Sequence, residues 1–286
     1  MPAGDVLWSP AADAWDATRM GRFLAASGFD EQQGWETARR WSVTDLDDFW
    51  GAVWRDAGLG EPPVPVLAHE AMPGARWCPD ARLNVAEHLL RWTGNQPAII
   101  ARSDTRVDIT LSRDVLRGQV ARVAAGFREL GVGPGDRVVG YLPNVPEAVI
   151  AFLATASIGA IWSSCAPEFG TTSVIDRVEQ IEPTLLLAAD GYRYGDREIP
   201  RVEEVAAIRA ALPTLEATVV LGHLTGHPKL ADFPGARDWA TLGSNTAPLV
   251  FEPVAFDHPL YILYSSGTTG RPKAIVHGHG GILLEH

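Results

Sequence analysis

Near the end of the chain four hydroxyl side chains, two glycines and a lysine stand together: Ser265, Ser266, Gly267, Thr268, Thr269, Gly270 and Lys273. Glycines let backbone N–H groups approach an anion closely, hydroxyls donate further hydrogen bonds, and a lysine supplies a mobile positive charge. These residue types in this order are suited to cradling phosphates. Lys229 and Lys273 are the only lysines among 24 Lys+Arg residues. A compact point charge ends the loop of a chain that otherwise uses planar arginine. The loop is not a Walker arrangement. Its glycines are closer together, Pro272 precedes the lysine, and Ala274 stands where a Mg-binding hydroxyl is required. Composition alone is equally compatible with a Ser/Thr/Gly-rich surface turn.

An apolar run, Leu260 to Leu263, predicts a buried strand leading into the loop, and a second apolar run follows Lys273, so the loop runs from strand to strand. Upstream, Asn84 with Glu87 predicts a helix cap, with Leu89, Leu90 and Trp92 as its apolar face. Ala98–Ala101 and Val107–Leu111 predict a hairpin. Ser112 opens a long helix whose apolar positions Leu116, Val120, Val123, Phe127 and Leu130 follow the 3.6-residue period, and Gly131 closes it. Val138–Leu142 reads as a strand, Asn144 and Glu147 as the cap of a helix with Pro146 in its first turn, and Ile161–Ser163 as a short strand end. Thr171–Ile181 reads as a helix, Leu185–Ala189 as a strand, Val202–Ala211 as a helix and Thr218–Leu221 as a strand. Repeated alternation predicts an α/β fold, a mostly parallel sheet with helices on both faces, with ligands at the carboxyl ends of the strands. Gly131-Val-Gly133-Pro-Gly135 lies between a helix and a strand, the wrong context for a dinucleotide fingerprint, and reads as a helix-terminating turn. Residues 223–257 read as a connecting segment.

Residues 1–80 differ in composition: Trp8, Trp15, Trp35, Trp41, Trp50, Trp54 and Trp77 all fall there. They predict a helical N-terminal extension whose tryptophans pack onto a larger body, exposed tryptophans being the alternative and marking a partner surface. The expected organisation is this extension, a first α/β subdomain over 81–255, and the loop with the start of a second subdomain over 256–286.

The formal net charge of -11 excludes a general nucleic-acid binder, which needs a basic face. The two cysteines, Cys78 and Cys165, form no disulfide framework, and no signal peptide is visible, so a cytoplasmic location is expected. The longest apolar run, Ala148 to Trp162, is broken by Thr155, Ser157 and Gly159 and predicts no membrane span.

Tyr264 to Lys273 resembles the signature of acyl-adenylate-forming enzymes, the superfamily of acyl-CoA synthetases, luciferases and peptide-synthetase adenylation domains. Ser265 keeps the hydroxyl of the usual threonine, and Ala274 departs from the usual glycine. Pro73–Trp77 through Arg82–Leu90, Leu142–Ala148 and Gly159–Gly170 extend the resemblance to acetyl- and acetoacetyl-CoA synthetases. The wording Trp162-Ser-Ser-Cys165 and Pro272-Lys-Ala-Ile-Val-His277 is most similar to the acetoacetyl-CoA synthetase group. The resemblance implies an ATP-dependent acid–thiol ligase: a carboxylate attacks the α-phosphate of ATP to give an acyl-adenylate, and CoA displaces AMP. It implies Ser265–Gly270 and Lys273 as holders of the β- and γ-phosphates, Lys273 as the catalytic cation, and Arg193 and Arg197 on the CoA nucleotide. One residue is inserted between those arginines, and two solvated loop arginines are the alternative. Trp162 and His277 are implied near the acyl or CoA region, with a core position the alternative for Trp162. His277-Gly-His279 is read as turn chemistry and not as a metal pair. ATP, CoA and Mg²⁺ are the implied cofactors, the protein ligands of Mg²⁺ falling outside this sequence, and a small carboxylate is the partner. The resemblance covers the first portion of the adenylation region, so an incomplete fragment, inactive alone, is expected. A non-catalytic nucleotide- or CoA-binding module and an acetyl- or propionyl-CoA synthetase are the alternatives.

Overall fold

The computed structural model describes residue 4 and residues 6–243, 248–265 and 270–286. They fall into two units, Met1–Ala81 and Arg82–His286. The first holds helices α1 (Ala14–Ala17), α2 (Arg19–Ala26), α3 (Gly34–Thr44) and α4 (Leu46–Asp56), then an antiparallel pair, β1 (Leu67–His69) and β2 (Arg76–Trp77). Thr18 caps α2 by accepting from the Gly21 N–H at 3.1 Å, and Asp47 and Asp48 occupy the first turn of α4, where the helix dipole favours them. The aromatic rings pack on one another: Phe29 lies 5.0 Å from Trp41, Trp41 5.1 Å from Phe49, Phe49 5.3 Å from Trp50, and Trp50 5.9 Å from Trp77. The expectation that every tryptophan packs inward fails at Trp8 and Trp35, which are 78% and 59% exposed. Trp35 is six residues from Trp41, about 120° around the helix, and so falls off the buried stripe.

The second unit contains, in order, β3 (Arg82–Leu83), α5 (Val85–Leu89), β4 (Pro97–Ala101), β5 (Ile109–Ser112), α6 (Arg113–Glu129), β6 (Arg137–Tyr141), α7 (Pro146–Ser157), β7 (Ile161–Cys165) and α8 (Thr171–Val178). A 3₁₀ turn over Glu179–Ile181 prolongs α8. Then come β8 (Leu185–Ala189), β9 (Gly191–Tyr194), β10 (Arg197–Pro200), α9 (Val202–Ala211), β11 (Ala217–Leu221), β12 (Arg237–Asp238), β13 (Val254–Ala255), β14 (Pro259–Ser265), β15 (Lys273–Gly278) and α10 (His279–Glu285).

Seven of these strands form one sheet in the order β12-β11-β8-β6-β7-β14-β15, parallel except for the antiparallel β14–β15 pair. Alternate residues serve the two faces. Val139, Tyr141, Leu186, Ala188 and Ile262 join Val174 and Val178 of α8 and Val205 and Ile208 of α9 in one core. Val138, Trp162, Leu187 and Val219 face the other way and are also buried, and α7 meets this face through Phe152, whose ring lies 6.2 Å from that of Tyr261. The mostly parallel α/β sheet with helices on both faces is therefore as the alternation predicts.

Local rules hold where the signal is local. Ser112 caps α6 by accepting from the Val115 N–H at 3.3 Å, and Gly131 follows it with φ +87°, a conformation that glycine adopts without strain. Five expectations change. Ile161–Ser163 is part of a five-residue strand at the heart of the sheet. Residues 223–257 contribute β12 to the sheet edge and β13 to a pair with β3. Val145, not Asn144, is the N-cap of α7, because Pro146 sits at the first helical position and holds the residue before it extended. Glu147 instead pairs with Arg106 at 3.0 Å. Leu90 is buried but Leu89 and Trp92 are exposed, since α5 is only five residues long and ends before a stripe forms. Leu263 is likewise half exposed, whereas Leu260 and Ile262 are buried.

The ends of the chain segments around β14 and β15 converge on Asn84. Its amide, 2% exposed, donates to the Ala156 carbonyl at 2.8 Å and the Glu252 carbonyl at 2.9 Å, while its oxygen accepts from the Ala86 N–H at 2.9 Å and caps α5. Beside it, His279 is fully buried and its Nδ1 accepts from the Val85 N–H at 3.2 Å. Among the described residues the other ring nitrogen has no hydrogen-bond partner. Desolvation first, and His258 second, push the His279 imidazole down to about 4.

Two outcomes follow from this junction. Replacing Asn84 by Ala removes the side-chain cap of α5, the donor to the part-buried Glu252 carbonyl and one of two donors to the Ala156 carbonyl, which keeps the Gly159 N–H. It is expected to cost about 2 kcal/mol, read as a lower urea midpoint of the Arg82–His286 unit. His279 binds a proton less readily when folded than when unfolded, so its contribution is complete above pH 6.5, declines as pH falls, and is gone below about 4. Across that window the chain should lose on the order of 3 kcal/mol more than the His279→Asn variant in parallel denaturation series; equal pH slopes would contradict this.

Candidate functional site

The parallel strands β6, β7, β8, β11 and β14 end together at Tyr141, Cys165, Ala189, Leu221 and Ser265, and this carboxyl edge is where open α/β sheets bind ligands. The Ser/Thr/Gly loop leaves from this edge. Ser265 and Gly270 are described; Ser266, Gly267, Thr268 and Thr269 lie outside the described residues. Gly270 has φ +100° with open space around its Cα, a conformation that a side chain would strain. Lys273 returns as the first residue of β15, directly opposite Ser265. It is exposed, and among the described residues it makes no ion pair.

The register builds a strip along one face. Trp162 of β7 pairs with Tyr261 of β14, and Tyr261 pairs with His277 of β15. The next rungs on that face are Leu263 with Ile275, then Ser265 with Lys273. The Tyr261 and His277 rings are 5.1 Å apart. Trp162 is buried, and its ring lies over Gly140, where an added Cβ would sit 2.7 Å from the indole. Leu263 and Ile275 are 50% and 44% exposed. An aromatic end, an open apolar middle and a hydroxyl–ammonium end thus follow one another over five residues of strand, roughly 14 Å. Sequence reasoning singled out Trp162, His277, Ser265 and Lys273; it missed Tyr261 and Gly140. A glycine inside a strand pattern is the signal for a close approach that could have found the latter.

His277 and His279 do not converge. His277 is partly exposed on the strip, while His279 is fully buried at the Asn84 junction. Among the described residues no group of three His, Cys, Asp or Glu side chains is placed to hold a metal ion, and no helix is long and apolar enough to cross a membrane.

Arg193 and Arg197 lie in the β9–β10 hairpin. Arg193 pairs with Glu198 and Arg197 with Tyr194, so the two arginines project from opposite faces. Arg193 makes an ion pair with Glu198. The hairpin is held by Arg201, whose Nε donates to the Pro167 carbonyl at 2.8 Å and whose guanidinium lies 5.0 Å from the Tyr192 ring. Asp190 accepts from the His223 and Leu224 N–H groups at 2.7 and 2.8 Å and from the Thr225 hydroxyl at 2.8 Å. Its carboxylate is fully occupied in shaping this edge. At the end of β6, the Tyr141 hydroxyl shares its one proton between the Pro167 and Phe169 carbonyls at 2.8 and 2.9 Å. Burial, ahead of the charges around it, pushes its hydroxyl up to about 12. Both cysteines are buried and free, and burial pushes each thiol up to about 11, so neither is poised as a nucleophile.

Comparison with known proteins agrees with this architecture. The family described as AMP-binding enzyme matches residues 87–285, and the domain described as acetyl-coenzyme A synthetase N-terminus matches residues 35–89. The chain is 42% identical to an acetoacetyl-coenzyme A synthetase of Rhizobium meliloti (strain 1021) over 299 aligned positions, covering 100% of this chain and 45% of that protein. It is 38% identical to an acetoacetyl-CoA synthetase of Macaca fascicularis, covering 98% of this chain and 44% of that protein. The solved acetoacetyl-CoA synthetase from Streptomyces lividans superposes with a TM-score of 0.90 at 46% identity, over 97% of this chain and 44% of that one. The chain thus spans less than half the length of the relatives it matches. A parallel sheet ending in a glycine- and hydroxyl-rich hairpin loop, and a family match over residues 87–285, lead to one conclusion: the chain belongs to the AMP-binding enzyme family.

Proposed function

We propose that the protein containing this chain is an ATP-dependent acid–CoA ligase that activates acetoacetate. The observation that carries this reading is the strip on β7, β14 and β15, which runs from aromatic and apolar side chains to Ser265 and Lys273. A small acyl group suits the first end and a polyphosphate the second. The choice of acetoacetate over acetate or propionate draws its support from its relatives, which are acetoacetyl-CoA synthetases.

In this reaction the carboxylate oxygen bonds to the α-phosphorus of ATP and pyrophosphate leaves. The CoA sulfur then bonds to the acyl carbon, its proton is released, and AMP departs. Lys273 and the hydroxyl and backbone N–H groups of Ser265–Gly270 neutralise and orient the leaving pyrophosphate, lowering the barrier by charge stabilisation and positioning. Tyr261, Leu263, Ile275 and His277 line the acyl side, and Trp162 flanks Tyr261 on the neighbouring strand. Arg193 contributes to the CoA nucleotide, with Arg197 on the other face of its hairpin. Mg²⁺ would enter on the phosphates of ATP. The described residues offer it no ligand set, and no step assigned to this chain passes through it.

In the full-length protein, acetoacetate is expected to drive ATP–pyrophosphate exchange; exchange with acetate but not acetoacetate would overturn the substrate. On this chain, Lys273→Ala should weaken ATP binding by about tenfold or more, as loss of a charge-assisted contact implies. Calorimetric titration reads this directly, and equal affinities would remove Lys273 from the phosphate site.

A further inference from the structure

The outgoing foot of the loop is held by residues almost a hundred positions earlier in sequence. Arg271 forms an ion pair with Glu179 and lies 3.8 Å from Asp176. Gln180 donates from its side-chain nitrogen to the Pro272 carbonyl at 3.1 Å, and to the Asp176 carbonyl at 2.6 Å. Asp176, Glu179 and Gln180 are three and four residues apart on α8 and its 3₁₀ turn, the spacing that brings side chains to one helical face. The incoming foot packs against the core to which the same helix contributes. Tyr264, the penultimate residue of β14, and Ile175 of α8 both pack against the cluster that includes Val174 and Val178. Burial pushes the Tyr264 hydroxyl up to about 12.

We infer that Asp176, Glu179 and Gln180 form a docking face that positions Lys273 through Arg271 and Pro272. The Pro272 carbonyl belongs to the peptide unit that contains the Lys273 nitrogen, so fixing it sets the direction in which β15 and its first side chain leave the loop. Arg271 also covers two carboxylates that would otherwise present negative charge beside an incoming polyanion. The ion pairs are well exposed, with Arg271 at 60%, Asp176 at 40% and Glu179 at 36% of their side-chain surface. Pairs so exposed contribute little to global stability, which separates a positioning role from a structural one. The role as a positioner of the phosphate-binding lysine rests on the function proposed above.

Hydrogen–deuterium exchange on this chain, with ATP titration alongside, tests the inference. Arg271→Ala and Gln180→Ala should leave the thermal midpoint within about a degree. Each should speed exchange of the Lys273–Val276 amides several-fold and weaken ATP binding three- to tenfold. The Arg271→Glu and Glu179→Arg pair, combined, should recover slow exchange that neither single reversal shows. If neither alanine variant changes that exchange, the docking face positions nothing and the inference is overturned, whatever ATP does. If exchange responds but neither the parent chain nor any variant binds ATP, the docking face stands and the phosphate reading falls.

Discussion

The parallel seating of β14 on β7 is the constraint on which the site depends. Tyr261 pairs with Trp162 and Ile262 with Ser163, and the Ser163 hydroxyl donates to the Ile262 carbonyl at 2.8 Å inside the sheet. A slip of one residue would exchange the faces of every side chain on β14. Tyr261, Leu263 and Ser265 would turn into the core under α8 and α9, and Ile262 and Tyr264 would turn out of it. Two pairings and one buried hydroxyl therefore decide that Ser265 reaches the carboxyl edge on the same face as Trp162. The antiparallel return of β15 then brings Lys273 to that face.

The hairpin that bears the loop is fixed at its other end as well. The chain enters through Glu252, whose carbonyl accepts from Asn84, and leaves through His279 and Gly280. The N–H groups of those two donate to the His258 and Phe256 carbonyls at 2.9 and 2.8 Å. An added Cβ on Gly280 would meet the Phe256 ring at 2.2 Å, so glycine here serves close packing and not loop freedom. A base tied down at both ends suits the positioning role proposed for the loop.

What was legible in the sequence was what local physics decides. The long helix α6 announced itself by its serine cap, its apolar period and its terminal glycine. The strand–helix alternation announced the sheet, and the residue types of Ser265–Lys273 announced the loop. What stayed hidden depended on partners far along the chain. Arg271 reads as an ordinary loop arginine until α8 supplies its carboxylates. Arg193 and Arg197 read as a pair until hairpin register sends them to opposite faces. Asn144 looks like a helix cap until the geometry imposed by Pro146 moves the start by one residue. Leu263 reads as core by hydropathy, and only the pairing with Ile275 assigns it to the open strip.

That strip also explains why the same residues support a chemical reading and not merely a packing one. On β14 the even-numbered side chains, Leu260, Ile262 and Tyr264, are spent on the core, as their burial and packing record. Among the odd-numbered positions, Leu263 stays half exposed beside an equally open Ile275. Exposed apolar pairs on a sheet carry a solvation penalty of about 25 cal/mol for each Å² that burial would have removed. The edge strand β15 leaves Val276 56% exposed on its other face as well, so exposure alone does not single out the rung. The open rung is thus distinguished by its neighbours: an aromatic row on one side and the exposed Lys273 ammonium on the other, the surroundings proposed above for a small acyl group and for the phosphates of ATP.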